Sequence, residues 1–425
     1  MTLKDKTEVI FYNGLETIGG PMIEVRYGDS HILFDWGEVY RPELKLPDES
    51  FKTLLDHELI GDLPDFYDPK LTGKRTSEFK HAAAYISHLH LDHSKALNWL
   101  DPEIPLYTSP DTAKLLPVLN KHPFLLPAAG HADDYTRPII QAELKKPIKI
   151  GQITIEIWPS DHDAYGASGL VIQTPDKLIG YTGDIRLHGY HRDWVEAYLQ
   201  RIKHCDLLIT EATGTSWPEQ KSEEFSGPKS EQDLVTEIVQ LVKDNPHRQL
   251  TFNTYPTNVE RLIQIAKAVP RKVVLTAKRA AFLKESLDLD YPYYYGHGEQ
   301  VDPILDPSLA IDYDLLLKDQ TKYFFQVDGN WDDLQSGGLY VHSNAEPLGD
   351  FDPAFQPFIE NLAKRQIELK LLRCSGHADI NGLKEIIKTV QPAWLCPVHT
   401  LHRELVENPF GKRILPKRNQ VFAFV

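Results

Sequence analysis

Four side chains able to bind a metal, His88, His90, Asp92 and His93, fall within six residues, directly after the apolar run Ala82-Ala83-Ala84-Tyr85-Ile86. The run reads as a buried strand, and an extended backbone sends His88 and His90 to the same side. A turn into a helix just beyond them swings Asp92 and His93 toward the same space. Imidazole and carboxylate donors together suit zinc or a similar borderline divalent ion, and two kinds of donor in one short loop point to a pair of ions.

The remaining donors are expected at the ends of other apolar strands, since a site is held best on a rigid sheet. His162 follows Ile153-Thr154-Ile155-Glu156-Ile157-Trp158, Asp184 closes Leu178-Ile179-Gly180-Tyr181-Thr182-Gly183, and His399 ends Ala393-Trp394-Leu395-Cys396-Pro397-Val398. The two oxygens of Asp184 can bridge two ions. Taken singly, Asp184 reads equally as a turn residue, and His162 and His399 as solvent-facing histidines.

The signature His-x-His-x-Asp-His at 88–93 resembles that of the metallo-β-lactamase superfamily. The resemblance implies an αββα sandwich with a two-metal site on one edge, His88, His90 and His162 holding one ion and Asp92, His93 and His399 the other, bridged by Asp184. Gly14-Leu15-Glu16-Thr17-Ile18-Gly19-Gly20 and Ile32-Leu33-Phe34-Asp35-Trp36-Gly37 look like the opening strands of that fold, Asp35 supporting the metal loop from behind.

A bare sandwich needs about 200–250 residues, so a chain of this length points to a second unit. Domain limits are expected at 1–211 for the first part of the sandwich, 212–368 for an insertion, and 369–425 for the returning segment. Within the insertion, Ser230 to Lys243 and Val259 to Val269 read as amphipathic helices, alternating with strands at Gln249–Tyr255 and Lys272–Leu275. That alternation implies a small parallel α/β domain. Another excursion, from Tyr40 to Lys80, reads as a lid or a surface loop.

The arrangement resembles the β-CASP branch, the nucleic-acid-processing nucleases that include ribonuclease J. The branch adds an acidic residue ending a strand and a histidine after the insertion, matched here by Glu211 in Leu207-Leu208-Ile209-Thr210-Glu211 and His377 in Cys374-Ser375-Gly376-His377. The implied chemistry is phosphodiester hydrolysis by a hydroxide held between two divalent ions, zinc or alternatively manganese. Asp92 would orient the hydroxide, and His377, held by Glu211, would protonate the leaving oxygen. Ser343, Ser375 and Gly376 are the expected phosphate contacts. Read without the family, His377 is only a residue leading into the helix Ile380 to Val390. Arg373 stands where ribonuclease J relatives usually carry histidine, and Thr400-Leu401 where a Gly-Glu pair is usual.

Composition restrains this reading. With 61 acidic against 46 basic residues the net charge is −15, and such a field repels long nucleic acids. Arg271-Lys272, Lys278-Arg279 and Lys364-Arg365 would line a groove or else be ordinary solvated faces. The expected substrate is therefore single-stranded RNA, or single-stranded DNA or another small phosphodiester. A hydrolase of small esters, thioesters or lactams is one alternative, and a non-catalytic scaffold subunit another. No apolar run suits a membrane span, and Met1 to Lys6 lack a secretion signal, which places the chain in the cytoplasm. Cys205, Cys374 and Cys396 read as buried thiols. A homodimer stays open.

Overall fold

Strict alternation in Ile153–Pro159 turns Ile153, Ile155 and Ile157 inward, each fully buried, while Thr154 and Glu156 are left half-exposed. This strand belongs to one of two seven-stranded sheets. The computed structural model, which describes residues 5–73, 79–217, 228–329 and 331–424, divides into two compact units: Met1–Glu223 with Ser375–Val425, and Glu224–Cys374.

In the first unit, one sheet runs in the order Val421–Ala423, Glu8–Asn13, Met22–Tyr27, Ser30–Phe34, His81–Tyr85, Leu106–Thr108, Ile140–Gln141. The other runs Lys412–Arg413, Trp394–Val398, Leu207–Glu211, Leu178–Tyr181, Ser168–Gln173, Ile153–Pro159, Ile148–Ile150. Their inner faces share one core, in which Phe11, Ile23, Val25, Phe34 and Tyr85 meet Ile155, Leu170, Ile172, Tyr181 and Ile209. The outer face of the second sheet is covered by the helices Arg192–Arg201 and Ile380–Val390, packed through Val195, Tyr198, Ile386 and Ile387. Two sheets back to back between helices form the expected αββα sandwich. Strands 207–211 and 394–398 pair in parallel, Glu211 opposite Val398, so chain from before and after the second unit lies side by side.

The second unit is a six-stranded sheet in the order Tyr293–Tyr294, Lys272–Thr276, Tyr323–Gln326, Leu250–Thr254, Leu339–Ser343, Glu368–Leu371, parallel throughout. Helices Glu231–Asp244 and Val259–Ala268 start on the caps Ser230 and Asn258, whose side chains accept from Asp233 N and Arg261 N. A fully buried ion pair, Arg261 to Glu231 at 2.6 Å, ties these helices together. Arg261 also donates to Asn344 Oδ1 at 2.7 Å and to the carbonyls of Ser343 and Cys374.

Three expectations change. Leu369 to Leu372 does not return to the sandwich: Glu368–Leu371 is the edge strand of the second unit, pairing with Leu339–Ser343. The segment after Glu211 stays with the first unit, because the hydroxyl of Thr213 bonds His399 and that of Thr215 bonds Thr400. The expected limits at 211 and 369 therefore both precede those of the compact units. Arg271 and Arg279 line no groove, being buried and donating to the carbonyls of Asn245, Arg248, Thr254 and Pro256.

The 40–80 excursion, of which 74–78 lie outside the described residues, packs against the first unit. Leu54, Ile60, Phe66 and Tyr67 are buried, and the Tyr67 ring meets Trp36 at 5.3 Å. No helix among the described residues is long and apolar enough to cross a membrane. All three cysteines are buried thiols outside any disulfide among the described residues.

Candidate metal centre

His81–Tyr85 ends one turn of chain before His88, and the four-residue helix Leu91–Ser94 presents Asp92 and His93. Backbone from the neighbouring strands clamps this loop: Gly20 N donates to Asp92 O at 2.9 Å and Trp36 N to His93 O at 2.8 Å. The contact is close enough that a Cβ on Gly37 would stand 1.7 Å from the Asp92 carbonyl oxygen. Glycine at that position is a condition for the loop's placement.

The other donors arrive from the second sheet. His162 follows Ile153–Pro159, Asp184 follows Leu178–Tyr181 through the left-handed Gly183, and His399 follows Trp394–Val398 with φ of 56°. His399 N donates to Gly14 O at 3.1 Å, which pins the last ligand to the first sheet. All seven predicted side chains converge. They form two groups, His88, His90, His162 and Asp184, and Asp92, His93, Asp184 and His399, whose donor atoms lie within 4.8 Å of one another in each group.

Asp184 is common to both groups. Its Oδ2 stands 3.6 Å from His88 Nε2, 3.3 Å from His93 Nε2, 3.6 Å from His162 Nε2 and 3.7 Å from His399 Nε2. These are separations of donors turned toward a common point rather than of hydrogen-bonded pairs. His88 Nε2, His93 Nε2 and Asp184 Oδ1 are buried without a hydrogen-bond partner among the described residues, an arrangement that costs free energy unless a cation meets them. The donor set and these orphaned atoms fit divalent metal ions.

Behind four of the five histidines, the far ring nitrogen has its own partner; His90 instead turns Nδ1 toward His162 Nε2 at 3.1 Å. Asp35 Oδ2 lies 2.7 Å from His93 Nδ1, Ser87 Oγ 3.0 Å from His88 Nδ1, Gly376 O 2.5 Å from His162 Nδ1, and Thr213 Oγ1 2.8 Å from His399 Nδ1. Such bonds choose the tautomer that leaves Nε2 for the metal. Asp35 additionally accepts from Ser87 N at 2.7 Å, from Ser87 Oγ at 2.8 Å and from the Tyr181 hydroxyl.

Charge is unevenly shared across the cluster. Burial, with the neighbouring imidazoles, pushes His88 well down, and burial brings His162 down to about 4 and also lowers His90. His93 is also buried, yet the carboxylates of Asp184, Asp92 and Asp35 outweigh burial and raise it. Asp184 is held well below the usual carboxylate range, because His399, His93 and His377 overcome its desolvation. The neutral imidazoles of His88, His90 and His162 beside an ionised carboxylate are in the states that metal binding requires, while His93 would give up its proton to a cation.

His377 stands next to this group, its Nδ1 3.6 Å from Glu211 Oε2 and 3.7 Å from Asp184 Oδ2. Burial lowers its basicity, but Asp184 and Glu211 prevail and hold it at about 10. Glu211 is fixed by Thr213 N and Ala378 N, at 2.8 and 3.1 Å. The helix Ile380–Val390 is capped by Asp379, so His377 is not its capping residue. Ser375 Oγ accepts from His377 N at 3.0 Å. Ser343 belongs to the second unit, where its buried hydroxyl bonds Arg261 at 3.2 Å.

Sequence reading missed Ser87, Thr213 and Tyr181, and also Asp163, whose Oδ1 lies 3.3 Å from His162 Nε2. Only the position of Asp163, next to a ligand, could have drawn attention to it. Its neighbour Asp161 is used otherwise, in a buried pair with Arg186.

Comparison with known proteins agrees with this geometry. Residues 63–271 match the family described as a beta-lactamase superfamily domain, and residues 365–407 the Zn-dependent metallo-hydrolase RNA specificity domain. Ribonuclease J of Pyrococcus abyssi is 22% identical, over 96% of this chain and 94% of its own. The chain belongs to the β-CASP branch of the metallo-β-lactamase superfamily. Ribonuclease J of Mycoplasma pneumoniae, also 22% identical, matches 93% of this β-CASP chain and 68% of its own. A crystal structure of a protein of unknown function from Enterococcus faecalis V583 is 46% identical, covers 99% of this chain and 100% of its own, and superposes with a TM-score of 0.94. This β-CASP protein is a metal-dependent hydrolase.

Proposed function

We propose that the protein is a ribonuclease that cleaves single-stranded RNA at a dinuclear centre of zinc ions, with manganese as the alternative that nitrogen and oxygen donors also accept. The observation that carries this reading is Asp184, shared by two donor groups beside the His377–Glu211 pair. His88, His90, His162 and Asp184 would hold one ion, and Asp92, His93, His399 and Asp184 the other. Two such ions supply a water acidified toward neutral pH and positive charge for the phosphoryl oxygens.

The chain's own groups do the rest. Asp92 turns Oδ2 toward His399 at 3.0 Å, leaving its second oxygen to orient the attacking water. His377 has its Nδ1 committed to the side of Glu211 and Asp184, so Nε2 faces the substrate and protonates the leaving sugar oxygen. Its side chain is 23% exposed, enough for a strand to reach it. Ser375 and Gly376 border the same loop and offer polar contacts to phosphate, whereas the Ser343 hydroxyl is committed to Arg261. A net charge of −15 favours short single strands over long duplexes.

Cleavage of 5′-labelled single-stranded RNA, with and without chelator, beside a small phosphodiester and a thioester tests this. RNA turnover abolished by chelator is expected; turnover of the thioester alone would end the proposal. His377→Ala is expected to keep both ions while losing roughly a hundredfold or more in rate, whereas Asp184→Ala loses at least one ion.

A further inference from the structure

Within the first unit a cavity of about 450 Å³ opens beside the metal centre, separated from it by a single loop. Leu15, Glu16 and Thr17 line it, and the flanking Gly14 and Gly20 of the same loop bond His399 and Asp92. In a chain of net charge −15 its lining is unusually cationic, with Arg41, Arg403, Lys417 and Arg418 against Glu16 and Glu58.

Two of these cations are built in. Arg403, with its side chain only 6% exposed, donates to Pro416 O at 3.0 Å, and its buried Nε has no acceptor among the described residues. Arg418 donates to the carbonyls of Tyr12 and Ile60, both at 2.8 Å. Backbone acceptors thus fix both guanidinium groups from behind. Among the described residues their outer edges meet Glu16 at 2.7 Å and Glu58 at 2.9 Å, glutamates whose side chains are 69% and 76% exposed. Both glutamates hold left-handed backbone, φ 56° and 58°, a conformation costly for a residue with a Cβ. Each pair sets a largely buried guanidinium against a solvent-exposed carboxylate, which can swing out into water and give way to another anion. Once the carboxylate has swung away, the planar guanidinium edge it leaves is well shaped for phosphate.

We infer that this cavity is a phosphate subsite, taking a nucleotide phosphate that displaces Glu16 and Glu58 from Arg403 and Arg418. Resting on the ribonuclease reading, it assigns that phosphate to the substrate strand, at a nucleotide away from the cleaved bond. The volume suits one nucleotide, and Leu15, Val39 and Leu59 give it an apolar side for a base or sugar. Strand length then becomes a determinant of affinity while the chemistry at the metal centre is untouched.

Steady-state cleavage of single-stranded RNA from dinucleotide to decamer, by the wild type and by Lys417→Glu, tests the subsite. For long strands KM is expected to rise roughly tenfold with kcat unchanged, while the dinucleotide is cut identically by both proteins. Calorimetric titration with uridine monophosphate separates the sources of phosphate. Binding to the wild type and not to Lys417→Glu, without any dependence on strand length, supports the site with a free nucleotide as its ligand. Equal KM at every length together with equal nucleotide binding overturns the inference. A wild type that cuts no RNA of any length refutes the ribonuclease reading instead, and the titration still decides whether the cavity takes phosphate.

Discussion

Replacing Asp35 by asparagine alters one atom in a side chain that is 1% exposed and measures how far a buried carboxylate organises the metal loop. Asparagine tolerates the left-handed backbone found here, φ 59°, so the change leaves the turn unstrained. Three donors converge on Oδ2, from Ser87 Oγ, His93 Nδ1 and Tyr181, and one on Oδ1, from Ser87 N. The amide oxygen will take the side with three donors, leaving its NH2 against Ser87 N–H. Hydrogen bonds to a charged acceptor contribute about 1.5–3 kcal/mol and those to a neutral one about 0.5–1.5, so neutralisation costs about 1 kcal/mol for each of the three bonds. The unsatisfied Ser87 N–H adds about 1 kcal/mol or more. A destabilisation of about 4 kcal/mol is expected from denaturant unfolding, and metal affinity by chelator competition should fall roughly 10- to 100-fold, as His93 loses the partner that sets its tautomer. A loss below about 1 kcal/mol with unchanged metal affinity would refute the reasoning, because it would mean that Asp35 merely fills space.

Three further outcomes are expected. Gly376→Ala would place a Cβ 2.2 Å from Asp163 Oδ1 and 2.7 Å from His162 Cε1; the His88–His90–His162 ion should bind about tenfold more weakly, and unaltered metal content after dialysis would contradict this. Arg261→Met strands the fully buried Glu231 and should cost the second unit about 3–5 kcal/mol, whereas adding Glu231→Leu recovers much of it in thermal melts. Burial holds His342 down at about 4. The unfolded chain therefore takes up a proton near 6.5 that the folded unit refuses, stability is full above 6.5 and declines as pH falls toward 4, and His342→Gln flattens that slope in unfolding measured against pH.

The metal centre was legible because its chemistry is concentrated in sequence: four donors in six positions, and three more each closing an apolar strand. The residues that orient them were not. Thr213, Ser87 and Tyr181 are ordinary polar residues whose role depends on meeting His399 and Asp35 from strands distant in sequence, which no local pattern encodes. Sheet membership was equally hidden. The alternating run at 368–371 declares a strand, but its partner is chosen by where the preceding helix Phe355–Lys364 delivers it. Arg271 and Arg279 misled for a related reason: a charge pattern cannot tell a cation that faces solvent from one buried against carbonyls.

Pairing of Leu207–Glu211 with Trp394–Val398 has a consequence for how the protein is made. A ribosome releases His88 to Asp184 early, then must produce the whole intervening domain before His399 emerges. Throughout that interval the nascent polypeptide carries one complete set of donors and one incomplete set. The group of Asp92, His93 and Asp184 gains its last donor only after the intervening domain has been made, so a product stopped short of His399 would leave that group open.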